Sequence, residues 1–247
     1  MAIHGTSADH TTFRVVGPLL AEHFTVHAID RRGRGASGDT PPYSIEREYE
    51  DVAAVAGAVA DASASMAVFG HSYGGRCALG AALRTSAIGA VICYEGAPTP
   101  PATHYATPGL EDRLRARSRA GDPAGLLSTF MTEVVGMTAE ELDRYRRDPV
   151  WPARVAAAPT ILRELEAESG AGASLEDVGR VRLPVLQLLG GASLPAFRAA
   201  TLALDERLAD GRVATIAGAK HAAHHTHPSV VAELVTAFVA ETIGVGD

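Results

Sequence analysis

Cysteine is nearly absent from this 247-residue chain, with Cys77 and Cys93 the only two. Cys77 falls in a helix-like run and Cys93 in a strand-like run. Both read as small core residues, which fits a reducing compartment and makes a cytoplasmic location the default expectation. Long apolar runs are missing too, so no segment is expected to span a bilayer. The N-terminus shows no basic and apolar leader, so no secretory signal is expected. Basic residues are in the minority: 22 Lys and Arg stand against 29 Asp and Glu, a formal net charge of −7. That sign argues against nucleic acid and anionic membrane as partners and leaves a small molecule as the expected one. No fixed-period repeat or long low-complexity tract occurs, although alanine is abundant throughout. What is present is 47% hydrophobic content, enough to fill one sizeable core. That core is a single α/β domain or a domain with an insertion.

Strand-like and helix-like segments alternate along the chain, which predicts a parallel sheet with helices on both faces. Expected strands are Phe24 to Ile29, Met66 to Phe69, Gly89 to Tyr94, Pro184 to Leu189 and Arg212 to Ile216. Expected helices are Ile45 to Ala60, Tyr73 to Arg84 and Pro228 to Ile243, the last with proline well placed in its first turn. Between Ala97 and Arg182 the strand signal disappears. Helical stripes such as Leu126, Leu127, Phe130, Met131, Val134 and Val135 take its place, and most of these serve packing.

The segment Gly70-His71-Ser72-Tyr73-Gly74 stands between a buried-strand run and a helix of small residues. It has the G-x-S-x-G pattern of a nucleophile elbow, in which a serine occupies a strained strand-to-helix turn and flanking glycines avoid backbone clashes. Chemistry is therefore expected at Ser72.

Four segments taken in order resemble the α/β-hydrolase superfamily: His4-Gly5-Thr6, the loop Asp30 to Ser37, the elbow Gly70 to Gly75, and Gly218-Ala219-Lys220-His221. The resemblance spans nearly the whole chain. It implies an α/β-hydrolase fold, a mostly parallel sheet flanked by helices, with residues 1–96 and 183–247 as core and 97–182 as an inserted helical cap. Only three residues precede His4, so the N-terminal strands usual in the superfamily are expected to be missing. An open sheet edge of that kind invites pairing with another chain, which leaves a homo-oligomer open.

A serine hydroxyl needs a general base and an acid to orient that base. The superfamily order is nucleophile, acid, histidine. His221, between the strand Arg212 to Ile216 and the final helix, is the expected base. His224, His225 and His227 are nearby competitors, and a metal site is the other reading of this cluster, but no convincing acidic or thiolate partners accompany it. No cofactor and no metal are therefore expected. The acid departs from the common pattern, because the loop after Val185 to Leu189 reads Gly190-Gly191-Ala192-Ser193 and holds no carboxylate. Some relatives take the acid from the end of the preceding core strand, which here is Glu95. Glu95 is the choice and Asp30 the runner-up. By resemblance, the oxyanion donors are the backbone N–H groups of Thr6 and Tyr73, and His4 orders the first loop.

The implied activity is hydrolysis of a small to medium carboxylic ester, thioester or lactone through a Ser-His-Glu triad. Cofactor-free lyase, C–C hydrolase or cyclase chemistry on the same fold is a second reading. A non-catalytic ligand-binding member is a third. The cap arginines Arg113, Arg115, Arg117 and Arg119 are expected to form a solvated face rather than an anion site.

Overall fold

The computed structural model describes residues 1–60, 66–101, 103 and 107–243. Six strands run parallel in one sheet: β1 (Ala2–Ile3), β2 (Ala28–Ile29), β3 (Met66–His71), β4 (Ile88–Tyr94), β5 (Val185–Gly190) and β6 (Gly211–Ile216). Their spatial order is β2-β1-β3-β4-β5-β6. The central strands read as near-continuous apolar runs because helices cover both faces, and β5 is buried along its whole length.

The chain steps outward from β1 to β2 and then returns across β1 to β3. That reversal opens a crevice beyond the carboxyl ends of β1 and β3, the place where ligands bind in open α/β sheets. The register brings the chemistry to one level. His71 at the end of β3 lies opposite Tyr94 of β4, and Tyr94 lies opposite Leu188 of β5. Ser72 and Glu95 each follow these paired residues by one position.

Helices α1 (Val16–Ala21), α2 (Ile45–Val59) and α3 (Tyr73–Ala82) follow the first strands. Helices α4 (Leu110–Arg119), α5 (Pro123–Glu133), α6 (Ala139–Arg146), α7 (Trp151–Ala157), α8 (Ile161–Ala167) and α9 (Leu175–Val178) lie between β4 and β5. After β5 come α10 (Pro195–Asp205), α11 (Ala223–Thr226) and α12 (Pro228–Thr242). One core cluster joins α2 and α3 to the sheet through Tyr49, Val52, Leu79 and Val91. A second, on the other face, joins α1 and α12 through Val16, Leu20, Val231 and Val235.

Among the described residues no strand forms between β4 and β5. The helices there build a third cluster around Leu114, Leu126, Leu127, Phe130 and Ile161. Val178 and Val181, at the end of this stretch, pack instead into the first cluster beside α3. The strand expected over Phe24 to Ile29 contracts to Ala28–Ile29. The reason is its partner: β1 offers only Ala2 and Ile3 for pairing. Phe24 and Val26 pack against the second cluster without joining the sheet.

Candidate active site

Ser72 occupies the single position between β3 and α3, with φ 55° and ψ −127°. A side-chain-bearing residue held there costs on the order of 1–3 kcal/mol, so its surroundings must enforce it. They do so by close packing. A Cβ on Gly70 would lie 2.3 Å from the Gly74 carbonyl oxygen, and one on Gly74 would lie 2.2 Å from the Ile3 oxygen. On Gly96 it would meet the Ser72 oxygen at 2.3 Å. The Ser72 N–H donates to the Tyr94 carbonyl at 2.8 Å, which ties the turn to β4.

Glu95 leaves β4 in the left-handed region, at φ 46°. Its Oε1 accepts the Gly190 N–H at 2.7 Å and its Oε2 lies 2.6 Å from His221 Nδ1. The side chains are 0% and 7% exposed, Glu95 and His221 respectively, so water hardly competes for the bond. A carboxylate only accepts, so Nδ1 carries the proton of this bond. Phe197 of α10 stacks on the imidazole, with ring centroids 4.2 Å apart and planes 20° apart. The loop bearing His221 is clamped from below: His71 Nε2 donates to the His221 carbonyl at 2.8 Å. Tyr94 donates its hydroxyl hydrogen to the Lys220 carbonyl and accepts the Ala223 N–H at 2.9 Å.

The loop after β1 lies against the elbow, where a Cβ on Gly5 would come 3.0 Å from Ser72 Cβ. His4 donates Nδ1–H to the Gly5 carbonyl at 2.9 Å and accepts the Arg31 N–H on Nε2 at 3.1 Å. Burial and the Arg31 charge hold its pKa well below the usual histidine range, so the ring is neutral. Arg31 donates to the His4 and Gly5 carbonyls at 3.0 and 3.1 Å and pairs with Glu48 at 2.9 Å and Glu164 at 2.6 Å. Against the cost of burial, Arg31 and Arg34, with the nearby Thr6 side chain, hold the Glu164 carboxyl below the usual carboxylate range.

The remaining histidines fall apart from this arrangement. His224 is buried, 4.3 Å from the rings of both His71 and His225. Burial pushes His71 and His224 well below the usual range and His225 down to about 4. His227 bonds to the neighbouring Thr226 hydroxyl at 2.9 Å. Among the described residues no group of three or more His, Cys, Asp or Glu is arranged to hold a metal. Asp30, the alternative acid, is taken by the backbone N–H and ring of His10, both at 2.8 Å, and by the Ala36 N–H at 3.1 Å. It closes a turn.

Ser72, His221, Glu95, Thr6 and Tyr73 line one cavity of about 880 Å³, which extends under Leu110, Phe130 and Val134 of the helices that follow β4. Arg76 of α3 is in its wall. Three of the four arginines of α4 face carboxylates: Arg113 pairs with Glu133, Arg115 with Glu111 and Glu166, and Arg117 with Asp122.

Residues 2–234 match the model of the alpha/beta hydrolase family. The chain belongs to that family. It is similar to the 2-(acetamidomethylene)succinate hydrolase of Mesorhizobium japonicum, 26% identical over 254 residues, with 96% of this chain and 86% of that one covered. A segment of the polyketide synthase ThaQ of Burkholderia thailandensis is 28% identical over 259 residues, 98% of this chain but 12% of the synthase. An alpha/beta hydrolase from Sphaerobacter thermophilus superposes with a TM-score of 0.80 at 29% identity, covering 96% of this chain and 90% of that one. This alpha/beta hydrolase is thus an enzyme of hydrolase type. No helix among its described residues is long and apolar enough to cross a membrane.

Sequence reasoning missed the supports of the site. Phe197 follows Pro195 in a helix that the alternation did not single out. His71 stands at a variable position of the elbow pattern, which gives no sign of its bond to the His221 carbonyl. Arg76 carried a signal of its own, a charge in a helix otherwise made of small and apolar residues. Glu164 had none, since it meets Arg31 only through the fold.

Proposed function

We propose that this alpha/beta hydrolase cleaves a small to medium carboxylic ester, thioester or lactone, with Ser72 as nucleophile, His221 as general base and Glu95 as the orienting acid. The observation that carries this reading is the buried 2.6 Å bond from His221 Nδ1 to Glu95, on a ring that lines the same cavity as Ser72. The negative carboxylate favours the imidazolium that forms when His221 takes the Ser72 proton. Ser72 Oγ then attacks the carbonyl carbon, and the alcohol or thiol leaves with the proton that His221 returns. Water repeats the sequence on the acyl-enzyme, and its proton passes through the same ring to Oγ. The backbone N–H groups of Thr6 and Tyr73 receive the oxyanion at each tetrahedral stage. Residues 97–182 act as a cap whose apolar wall encloses the acyl group over the core of 1–96 and 183–247. Side chains and water account for every proton and electron pair.

The test is Ser72→Ala. Turnover of p-nitrophenyl butyrate should fall roughly 10⁴-fold or more, about 5 kcal/mol of transition-state stabilisation, with an unchanged circular dichroism spectrum. Labelling by a fluorophosphonate should vanish in the same variant. Near-normal hydrolysis by Ser72→Ala would overturn the serine mechanism.

A further inference from the structure

The Gly5 carbonyl and the Thr6 N–H belong to one peptide group. Resonance ties them together, so electron density drawn toward the carbonyl oxygen makes the N–H a stronger donor. Whatever holds the Gly5 oxygen therefore bears on what Thr6 can do in the cavity that it lines.

The Gly5 oxygen accepts twice. One hydrogen bond comes from His4 Nδ1 at 2.9 Å and the other from Arg31 Nη2 at 3.1 Å. A carbonyl oxygen has two lone pairs, so both are taken. The second donor is a cation, and hydrogen bonds from a charged donor are roughly twice as strong as neutral ones. The rest of the guanidinium fixes its aim. Nε and Nη2 form one edge of the planar fork, and that edge meets the successive carbonyls of His4 and Gly5. Nη1 meets Glu48 at 2.9 Å, and Nη2 also meets Glu164 at 2.6 Å. The Arg31 side chain is fully buried, so water does not screen its charge from the peptide. The guanidinium carbon lies 4.8 Å from the centroid of the Tyr73 ring. Arg31 thus adjoins both the loop that leads into Thr6 and the residue that follows Ser72.

We propose that Arg31 is a positioning residue for the oxyanion: it fixes and polarises the Gly5–Thr6 peptide, so that the Thr6 N–H binds developing negative charge more tightly than an ordinary backbone amide does. The proposal rests on Ser72 as nucleophile and on the Thr6 N–H as an oxyanion donor. Arg31 acts only through that peptide and does not meet the substrate. The charge on the substrate oxygen appears only after Ser72 attacks, so the effect lies in kcat and not in KM.

Two substrates separate this role from a structural one: p-nitrophenyl butyrate, and the thionoester in which sulfur replaces its carbonyl oxygen. Sulfur accepts hydrogen bonds weakly, so the wild-type enzyme should turn over the oxygen ester much faster. Deleting an oxyanion donor outright costs about 10²–10³ in kcat, and weakening one costs less. Arg31→Met, which removes the charge and every donor, should lower kcat on the oxygen ester by roughly 10-fold. KM and turnover of the thionoester should stay near wild type. Arg31→Lys, which keeps a cation, should restore part of the loss. If Arg31→Met does not fold, the double variant Arg31→Met with Glu48→Gln decides, because it leaves Arg34 and Glu164 as a neutral pair. The same loss confined to the oxygen ester is expected there. Glu48→Gln alone keeps the guanidinium on the Gly5 carbonyl and should keep the wild-type ratio of the two rates. An unchanged ratio in the Arg31 variants, whether both rates fall or neither does, overturns the proposal. A Glu48→Gln enzyme whose ratio falls as far as that of Arg31→Met overturns it too, since the network and not the Arg31 charge would then be responsible. Failure of the underlying reading shows elsewhere: in a wild-type enzyme that does not distinguish the two esters, or in a Ser72→Ala enzyme that still turns over the oxygen ester.

Discussion

Glu95 uses its two oxygens for different partners, the Gly190 N–H and the His221 ring. The first fixes the carboxylate in place; the second orients the imidazole through Nδ1. Glu95→Gln keeps the shape but offers an amide where a charge stood. Turnover should fall by roughly 10⁴-fold, by analogy with triads that lose their acid, while the protein stays folded. Ser193→Ala should change turnover little, because the Ser193 hydroxyl is buried beside Gly190 with no hydrogen-bond partner among the described residues. Comparing kcat for the two variants checks both statements, and a fully active Glu95→Gln would reassign the acid. The sequence points to Glu95 only through the resemblance, since the loop after β5 offers no carboxylate and some relatives take the acid from the end of the preceding strand. Nothing in the sequence distinguishes the buried His224 from the half-buried His225 and His227.

Those buried histidines make a separate residue-scale prediction. His71 and His224 are held neutral by burial, with pKa values well below the usual range. In the unfolded chain each titrates near 6.5, so below that pH the unfolded state binds more protons than the folded one. Stability is therefore full above about pH 6.5 and declines as pH falls, by up to about 1.4 kcal/mol per pH unit for each such group. His224→Leu removes one contributor. The stability gap between wild type and variant in urea titrations should shrink from pH 7.5 to pH 5.5. Parallel losses in both proteins would show that His224 is not involved.

At the scale of elements, the elbow works because three segments approach within the space of missing side chains. Gly74→Ala would place a methyl 2.2 Å from the Ile3 oxygen and 2.5 Å from the His4 oxygen, both backbone atoms that cannot swing aside. The cost should be at least the 1–3 kcal/mol typical of overpacking, visible as a lower urea midpoint. Activity should fall as well, since the displaced loop carries Thr6. A midpoint within error of wild type would contradict the packing. Elements of this kind were readable in advance: the expected helix Ile45 to Ala60 is Ile45–Val59, and the expected strand Arg212 to Ile216 is Gly211–Ile216. Periodicity sufficed there. It failed at β2, whose length is set by two residues of β1, and at α10, which carries Phe197 to the site. Partner length and tertiary docking leave no mark in a local pattern.

The whole molecule is joined through a buried charge network. Arg31 and Arg34, from the loop after β2, both pair with Glu164 of α8, and Arg31 also pairs with Glu48 of α2. All four side chains are essentially without solvent contact. The residues of the longest of these pairs are 133 positions apart, which explains why no sequence pattern announced it. Glu164→Gln leaves two guanidinium groups facing a single remaining carboxylate in a dry interior. Removing one member of such a pair destabilises by about 3–5 kcal/mol, because the desolvation of the survivors is no longer offset. Arg115→Ala removes pairs whose members are 44–62% exposed and should leave the urea midpoint close to wild type. Arg31, which Glu164 pairs with, also holds the His4 and Gly5 carbonyls just before Thr6. Glu164→Gln should therefore lower kcat on p-nitrophenyl butyrate under conditions where the variant is still folded, whereas Arg115→Ala should leave kcat near wild type. A Glu164→Gln enzyme as stable as Arg115→Ala, with full kcat, would mean that the network neither anchors α8 to the core nor sets the loop beside Ser72.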